Sequence, residues 1–581
     1  MTGSKADLIF VGGKVRTPSH ESGFAQAMAV GGGIIAAIGD DDEIRELAGP
    51  RTRVVDLRGR LALPAFGDAH VHAISGGLES LRCYMLGLKK RQDCLDTIAR
   101  YCEALNRGEP SPRTPAADRG EPAPRTAAAP QDRWVLGSGW SMEAFAGGTP
   151  TAADLDTVTG GRPAFLPNRD HHGAWVNTAA LRLAGVDKDT PDPADGRIER
   201  YPDGSPTGTL HDGAMRLVAA HVPPASASEL RAGLTAALNY LHSKGIAHYQ
   251  DACVGKASEI AILDTFGTYR DAAADGTLTA SVTGALWWDR HRGISQVEDL
   301  LSRREQASTG QFRATSVKLM LDGVCETFTA AMNSPYLDRH GHGTDHAGNF
   351  FIDPEELKGI VQRLAAEDFQ LHFHALGDGA VTAGLDALET LSASQRIRGR
   401  HHLAHLQFIR PQDLDRFAAL DAVANFQPLW ACADPQMIQL TLPYVGAERA
   451  QWQYQIGGLA RRGTRLAFGS DWPVSNGDPL QEMHVAVNRV LSRVLGRAGT
   501  PECEEPFLPG QAVTVDTAIR AFTEGVAYVN HEETVTGRLL PGMRADVVVL
   551  DQDLYSIPPA DIGDTSTVLT VAGGQIVYGT D

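Results

Sequence analysis

The chain has 581 residues, 43% of them hydrophobic and 21% charged, which is enough to bury a large core spread over more than one domain. Acidic residues outnumber basic ones by 71 to 53, a formal charge of −18. That excess argues against nucleic acid or an anionic membrane surface as the main partner, because phosphate binding needs clustered Lys and Arg.

The opening MTGSKADLIFVGGKV has no long apolar stretch and reads as the first strand of a folded domain. No apolar run reaches the ~18 residues that a membrane span needs. Cys83, Cys94, Cys102, Cys253, Cys325, Cys432 and Cys503 are scattered and form no CxxC pair. They read as reduced thiols, so a reducing compartment, by default the cytoplasm, is expected.

Up to residue 62 the chain alternates apolar runs with Gly-rich turns (DLIFVGGKV, QAMAVGGGIIAAIG, TRVVDLRGRLALP), a pattern of short strands. The C-terminus has the same texture in GRLLPGMRADVVVLDQDL and STVLTVAGGQIVYG. Segments 1–62 and 535–581 are therefore predicted to assemble one small β-sandwich domain from both termini. Between them the barrel is assigned to 63–534, with eight strand-like runs, the first straddling its start: 61–66, 245–252, 279–288, 315–321, 369–376, 400–406, 422–429 and 465–471. Helical stretches such as 229–245 and 354–368 separate several of them, which predicts parallel βα units closing into a (β/α)₈ TIM-like barrel.

A large insertion, 75–228, follows the first strand. Within it RGEPSPRTPAAD (107–118) is followed at once by RGEPAPRTAAAP (119–130), with nine of twelve paired positions identical. A tandem duplication this rich in Pro, Ala, Arg and Glu has little to bury and is expected to form a flexible surface loop.

His70-Val71-His72 is the first chemical signal. Residues i and i+2 of a strand share a face, and two imidazoles on one face at a strand end can share a divalent cation. Four further polar residues sit at or near later strand ends: Lys318, His374, His405 and Asp471. Each singly has an ordinary reading: an ion pair of Lys318 with Asp322, core histidines, or a turn cap. Together they place six polar groups at one barrel mouth, where barrel enzymes build their sites. The fifth strand also contains His372, making a second HxH; His374 is preferred because it precedes the ALGD turn.

This series, HxH, Lys, His, His, Asp in that order, resembles the amidohydrolase superfamily. The closer resemblance is to its amidohydrolase-3 (YtcJ-like) branch, which includes N-substituted formamide deformylases. The similar blocks span nearly the whole chain: GGKV…GDAHVH, GSGW, DHHGAWVNTAAL, GTL, VKLMLDG, HFHALGD, GSDWPV and PGMRADVVVLD. The duplicated segment has no counterpart in that pattern.

The resemblance implies that His70 and His72 bind a buried metal, with zinc expected. It implies that Lys318 is carboxylated and bridges to a second metal held by His374 and His405, and that Asp471 is both ligand and proton shuttle. One or two ions per chain are expected, two if Lys318 carries the carbamate, since a bare ammonium would repel a second cation. His172 is a candidate for polarising the substrate carbonyl. Trp140, Phe145, Trp175, Phe328 and Trp430 are candidate pocket residues for an apolar N-substituent.

The implied activity is hydrolysis of a non-peptide C–N bond in a small molecule by metal-activated water. Cyclic amide, ester or carbamate hydrolysis, or deamination, would use the same metals, and self-association into a homodimer is left open. A non-catalytic, metal-bearing binding protein is the rival from another class, opposed by the aspartate after the eighth strand. No GxSxG elbow supports a serine hydrolase.

Overall fold

The computed structural model describes residues 5–18, 20, 23–109, 134–255, 264–307, 310–496 and 499–579. Its centre is a sheet of eight parallel strands in chain order: β1 (Phe66–Val71), β2 (Ile246–Val254), β3 (Ser281–Trp287), β4 (Phe312–Met320), β5 (Gln370–Ala375), β6 (His402–His405), β7 (Val423–Phe426) and β8 (Leu466–Phe468). Nearly every residue of these strands is buried, as expected of a parallel sheet covered on both faces. Past the end of β8 the ring is joined by Asp471 N–H donating to His70 O at 2.7 Å and His72 N–H donating to Trp472 O at 2.9 Å. The expected barrel is therefore present.

One strand expectation is corrected. LALPAF, read as the first barrel strand, divides at Ala65: Leu61–Pro64 belongs to another sheet, and β1 starts at Phe66. Leu61–Pro64 pairs antiparallel with Val547–Leu550, placing Leu63 opposite Val548. These strands serve two cores through the period-two alternation of side chains. Val547, Val549 and Ala62 face a core shared with Leu8, Phe10, Met28 and Val30, whereas Val548, Leu550, Leu61 and Leu63 pack into the barrel core. The six-stranded sheet so formed draws strands from both ends of the chain, and a four-stranded sheet of N-terminal residues lies against its outer face.

A fourth sheet, of six strands between Cys83 and Asp212, fills the region between β1 and β2. Apart from 107–109, the duplicated segment lies outside the described residues. Helix α1 (Ala73–Ser80) starts directly after His72, and α2 (Ala227–Ser243) opens with a Ser226/Glu229 capping box. A Cβ on Gly77 would sit 1.9 Å from Gly233 O, so the α1–α2 crossing depends on a residue with no side chain. Helix α3 (Pro354–Ala366) is capped by Asp353 with Pro at its start, as its sequence predicts. Among the described residues no helix is long and apolar enough to cross a membrane.

Candidate active site

The first and eighth strands are stitched together beneath the mouth of the barrel. Asp68 accepts from His70 N–H (3.0 Å), Ser470 N–H (3.1 Å) and Ser470 Oγ (2.6 Å). Burial raises its pKa to about 7 against the effect of these bonds. Gly469 permits the close approach: a Cβ there would lie 2.5 Å from His70 N. The stitch sets the height of His70, of His72 at the N-terminus of α1, and of Asp471 in the turn after β8.

These groups converge. His70 Nε2 lies 3.3 Å from Asp471 Oδ1 and 3.3 Å from Lys318 Nζ, and His72 Nε2 lies 3.1 Å from the same Asp471 Oδ1. His405 Nδ1 is 4.0 Å from Asp471 Oδ2. The ligand atoms of His70, His405 and Asp471 all fall within 4.8 Å of one another. Asp471 Oδ1 has the ring nitrogens of His70 and His72 within reach but neither aligned for a hydrogen bond, and buried His405 Nδ1 has no hydrogen-bond partner. Unpartnered buried acceptors are costly, and a nitrogen- and oxygen-donor set of this kind suits a divalent cation. The residues present therefore fit a metal ion.

His374 and His372 take different roles. The β4–β5 register sets Lys318 level with His372, and Met320 level with His374 one pleat nearer the mouth. His374 lines the cavity with its ring 4.5 Å from that of His405, but its Nε2 faces Gly323 O at 3.3 Å and Asp322 at 3.8 Å. His372 lies beneath, its Nε2 2.9 Å from His70 Nδ1. Asp322 accepts from the amides of Ala331, Leu376 and Gly377, pinning the loops after β4 and β5 to each other.

Burial dominates the electrostatics. It lowers the His70 pKa to about 3, helped by Lys318, and holds His372, His374 and His405 well below the usual imidazole value. Burial also lowers the Lys318 ammonium to about 8, against the attraction of Asp471. For Asp471 burial disfavours the charge, but its contacts with His70 and His72 outweigh it and keep the carboxylate ionised.

Above this floor lies a cavity of about 220 Å³. One wall is the face of α1 that carries Ser75, Leu78 and Glu79; another is apolar, with Phe165, Val222 and Pro223. His172 lines it as well, its Nδ1 2.6 Å from Asp212 Oδ1. Burial disfavours the imidazolium, but Asp212 raises the His172 pKa to about 9. Backbone strain gathers here: His171, His405, Asp471 and Asp212 have φ of 63°, 77°, 54° and 45°. Such conformations cost on the order of 1–3 kcal/mol each and cluster at functional sites.

The aromatic expectations need correcting. Trp140, Phe145 and Trp175 form a mutually edge-on cluster in the core of the inserted sheet and are not in the cavity wall. The indole N–H groups of Trp140 and Trp175 donate to Leu166 O and Thr151 O, each at 2.7 Å. Phe328 packs edge-on against Tyr336 and Tyr444, also away from the wall. Trp430 is in the wall, stacked at 3° on the His405 ring. Asp212 escaped the sequence reading because its partner is forty residues away; the DHHG block held no local sign of it. The pairing becomes visible only through the antiparallel strands Gly173–Val176 and Pro206–Asp212.

A family model described as the amidohydrolase family matches residues 53–578. The chain belongs to the amidohydrolase family. The YtcJ protein of Bacillus subtilis (strain 168), named as an amidohydrolase, is 28% identical over 575 residues, covering 98% of this chain and 99% of its own. The N-substituted formamide deformylase of Arthrobacter pascens is 26% identical over 582 residues, covering 98% of each chain. The branch expected from the motifs is thus the one found. An uncharacterized metal-dependent hydrolase from Pyrococcus furiosus shares the fold of this amidohydrolase, with a TM-score of 0.66 at 23% identity over 94% of this chain and 99% of that one.

Proposed function

We propose that this amidohydrolase is a metal-dependent hydrolase that cleaves a non-peptide C–N bond, with N-substituted formamides as the first substrate class to examine. The observation that carries the reading is the convergence of the ligand atoms of His70, His405 and Asp471 to within 4.8 Å of one another, with His72 Nε2 3.1 Å from Asp471 Oδ1. Similarity to the formamide deformylase supports the substrate class.

His70, His72 and Asp471 would hold a divalent cation, zinc being the natural choice for this donor set. Carboxylated Lys318, with His374 and His405, would hold a second. A cation in this site supplies Lewis acidity and brings the pKa of a coordinated water toward neutrality.

The chain's own groups supply the rest. Asp471, ionised and aimed into the cavity, accepts the proton of the attacking water as oxygen adds to the substrate carbonyl. His172, kept cationic by Asp212, donates to the carbonyl oxygen as negative charge develops there. Asp471 then returns the proton to the departing amine nitrogen, so that a neutral amine leaves and a carboxylic acid remains. The apolar wall excludes bulk water and receives the N-substituent.

Formate release from a panel of N-substituted formamides, run before and after chelation, tests this. Release that is lost on chelation and restored by Zn²⁺ is expected. Turnover of cyclic amides, esters or carbamates in place of formamides would overturn the substrate class, and turnover indifferent to chelator would overturn the mechanism.

A further inference from the structure

We propose that Gln250 is a positioning residue that determines which nitrogen of His70 faces the cation site. The proposal rests on the reading of His70 as a ligand and on a chain of hydrogen bonds under the barrel floor whose donors and acceptors are fixed at its two ends.

One end is Gln370 on β5. Its Nε2 lies 2.9 Å from Arg400 O and 2.7 Å from Val529 O. Backbone carbonyls only accept, so the amide nitrogen is fixed there and Gln370 Oε1 is turned toward Gln250. Gln250 Nε2 donates to that oxygen at 3.0 Å. Gln250 Oε1 is therefore presented to two imidazoles, His372 Nδ1 at 2.7 Å and His402 Nε2 at 2.9 Å. An amide oxygen has no proton to give, so both of these ring nitrogens carry the hydrogen.

The other end gives the same assignment independently. Asn425 Nδ2 donates to Ala69 O at 2.9 Å, which fixes the orientation of that amide. The same nitrogen lies 3.1 Å from His402 Nδ1, which must then be a bare acceptor. The hydrogen of His402 is left on Nε2, facing Gln250 Oε1. Two backbone anchors, on different strands, thus agree on the direction of the Gln250 amide.

The consequence reaches the site. With its hydrogen on Nδ1, neutral His372 offers a lone pair from Nε2 to His70 Nδ1, 2.9 Å away. His70 must donate there, and its Nε2 is left as a bare lone pair directed at Asp471 Oδ1 and Lys318 Nζ. Ligand histidines are ordinarily held by a carboxylate or carbonyl on the far nitrogen. Here a second imidazole does so, and Gln250 fixes its tautomer. Gln250 is fully buried, far below solvent, and touches neither substrate nor cation.

The test compares Zn²⁺ affinity, by competition with a chromophoric chelator, in the wild-type protein, Gln250→Leu and Gln250→Glu. Leucine removes the acceptor. A protonated glutamic acid keeps it, with C=O toward the imidazoles and O–H toward Gln370 Oε1. The expected result is a ~10- to 100-fold loss of affinity in Gln250→Leu and near wild-type affinity in Gln250→Glu. Wild-type affinity in the leucine variant, or equal losses in both variants, overturns the proposal. If the leucine variant does not fold, the glutamate variant decides alone: retained affinity supports the proposal and lost affinity overturns it. A wild-type protein that binds no Zn²⁺ instead overturns the functional reading on which the proposal rests.

Discussion

Lys318 offers a sharp contrast between what the site costs and what it does. The side chain is 2% exposed, and burial lowers its pKa from 10.5 to about 8 in the metal-free protein. In the unfolded chain the amine keeps its ordinary value, so folding disfavours the proton. At ~1.4 kcal/mol per factor of ten, the difference corresponds to about 3 kcal/mol. The penalty is fully present below pH 8, where both states are protonated. It shrinks as pH rises from 8 toward 10.5, where only the unfolded state still binds the proton, so stability increases across that window.

Lys318→Met keeps an unbranched stem, one atom shorter, and removes the charge. The metal-free variant is expected to be more stable than wild type by up to about 3 kcal/mol at pH 7, with the advantage fading toward pH 10. Urea unfolding midpoints with chelator present, at three or four pH values, measure it. The same variant is expected to bind divalent cations more weakly, a stability–function trade-off. A metal-free variant no more stable than wild type at pH 7, or an advantage that does not change with pH, would refute the assignment of Lys318 as a buried charge held for function.

Outcomes are expected for four further variants. Asp471→Asn removes the proton acceptor and lowers kcat by about 10²–10⁴-fold, measured on the best substrate of the panel. Asp212→Asn withdraws the carboxylate that holds His172 at about 9; kcat/KM falls by roughly 10²–10³-fold, and the decline of activity with rising pH moves from near 9 to lower values, as a pH–rate profile will show. Trp140→Ala costs about 3–5 kcal/mol of stability with KM little changed in the surviving folded protein. Trp430→Ala should instead raise KM, since Trp430 alone of the aromatic candidates is in the cavity wall.

The order of the site residues was legible in the sequence because each sits at or just past a strand end, and the alternation of a strand fixes which neighbours share its face. Depth along the strand was not legible. His372 and His374 share a face by spacing, and only the register that sets Lys318 beside His372 shows which of them lies under the floor. The boundary between Leu61–Pro64 and β1 was hidden for a similar reason. Leu61 and Leu63 do bury in the barrel core, but from a strand whose hydrogen bonds run to Val547–Leu550 at the far end of the chain. Trp140 and Trp175 have the composition of a pocket wall; their indole N–H groups are satisfied by backbone carbonyls inside the inserted sheet, a fact of tertiary packing alone. Gln250 and Asp212 carry no local signature, because their partners come from other strands.

The mechanism depends above all on divalent cations held where His70, His72, His405 and Asp471 come together. Elemental analysis of the purified protein beside His405→Ala tests it most directly. The account predicts one to two equivalents of a divalent transition metal in the wild type, falling in the variant. A wild-type protein that carries no such metal, and acquires none when Zn²⁺ is supplied, would contradict it.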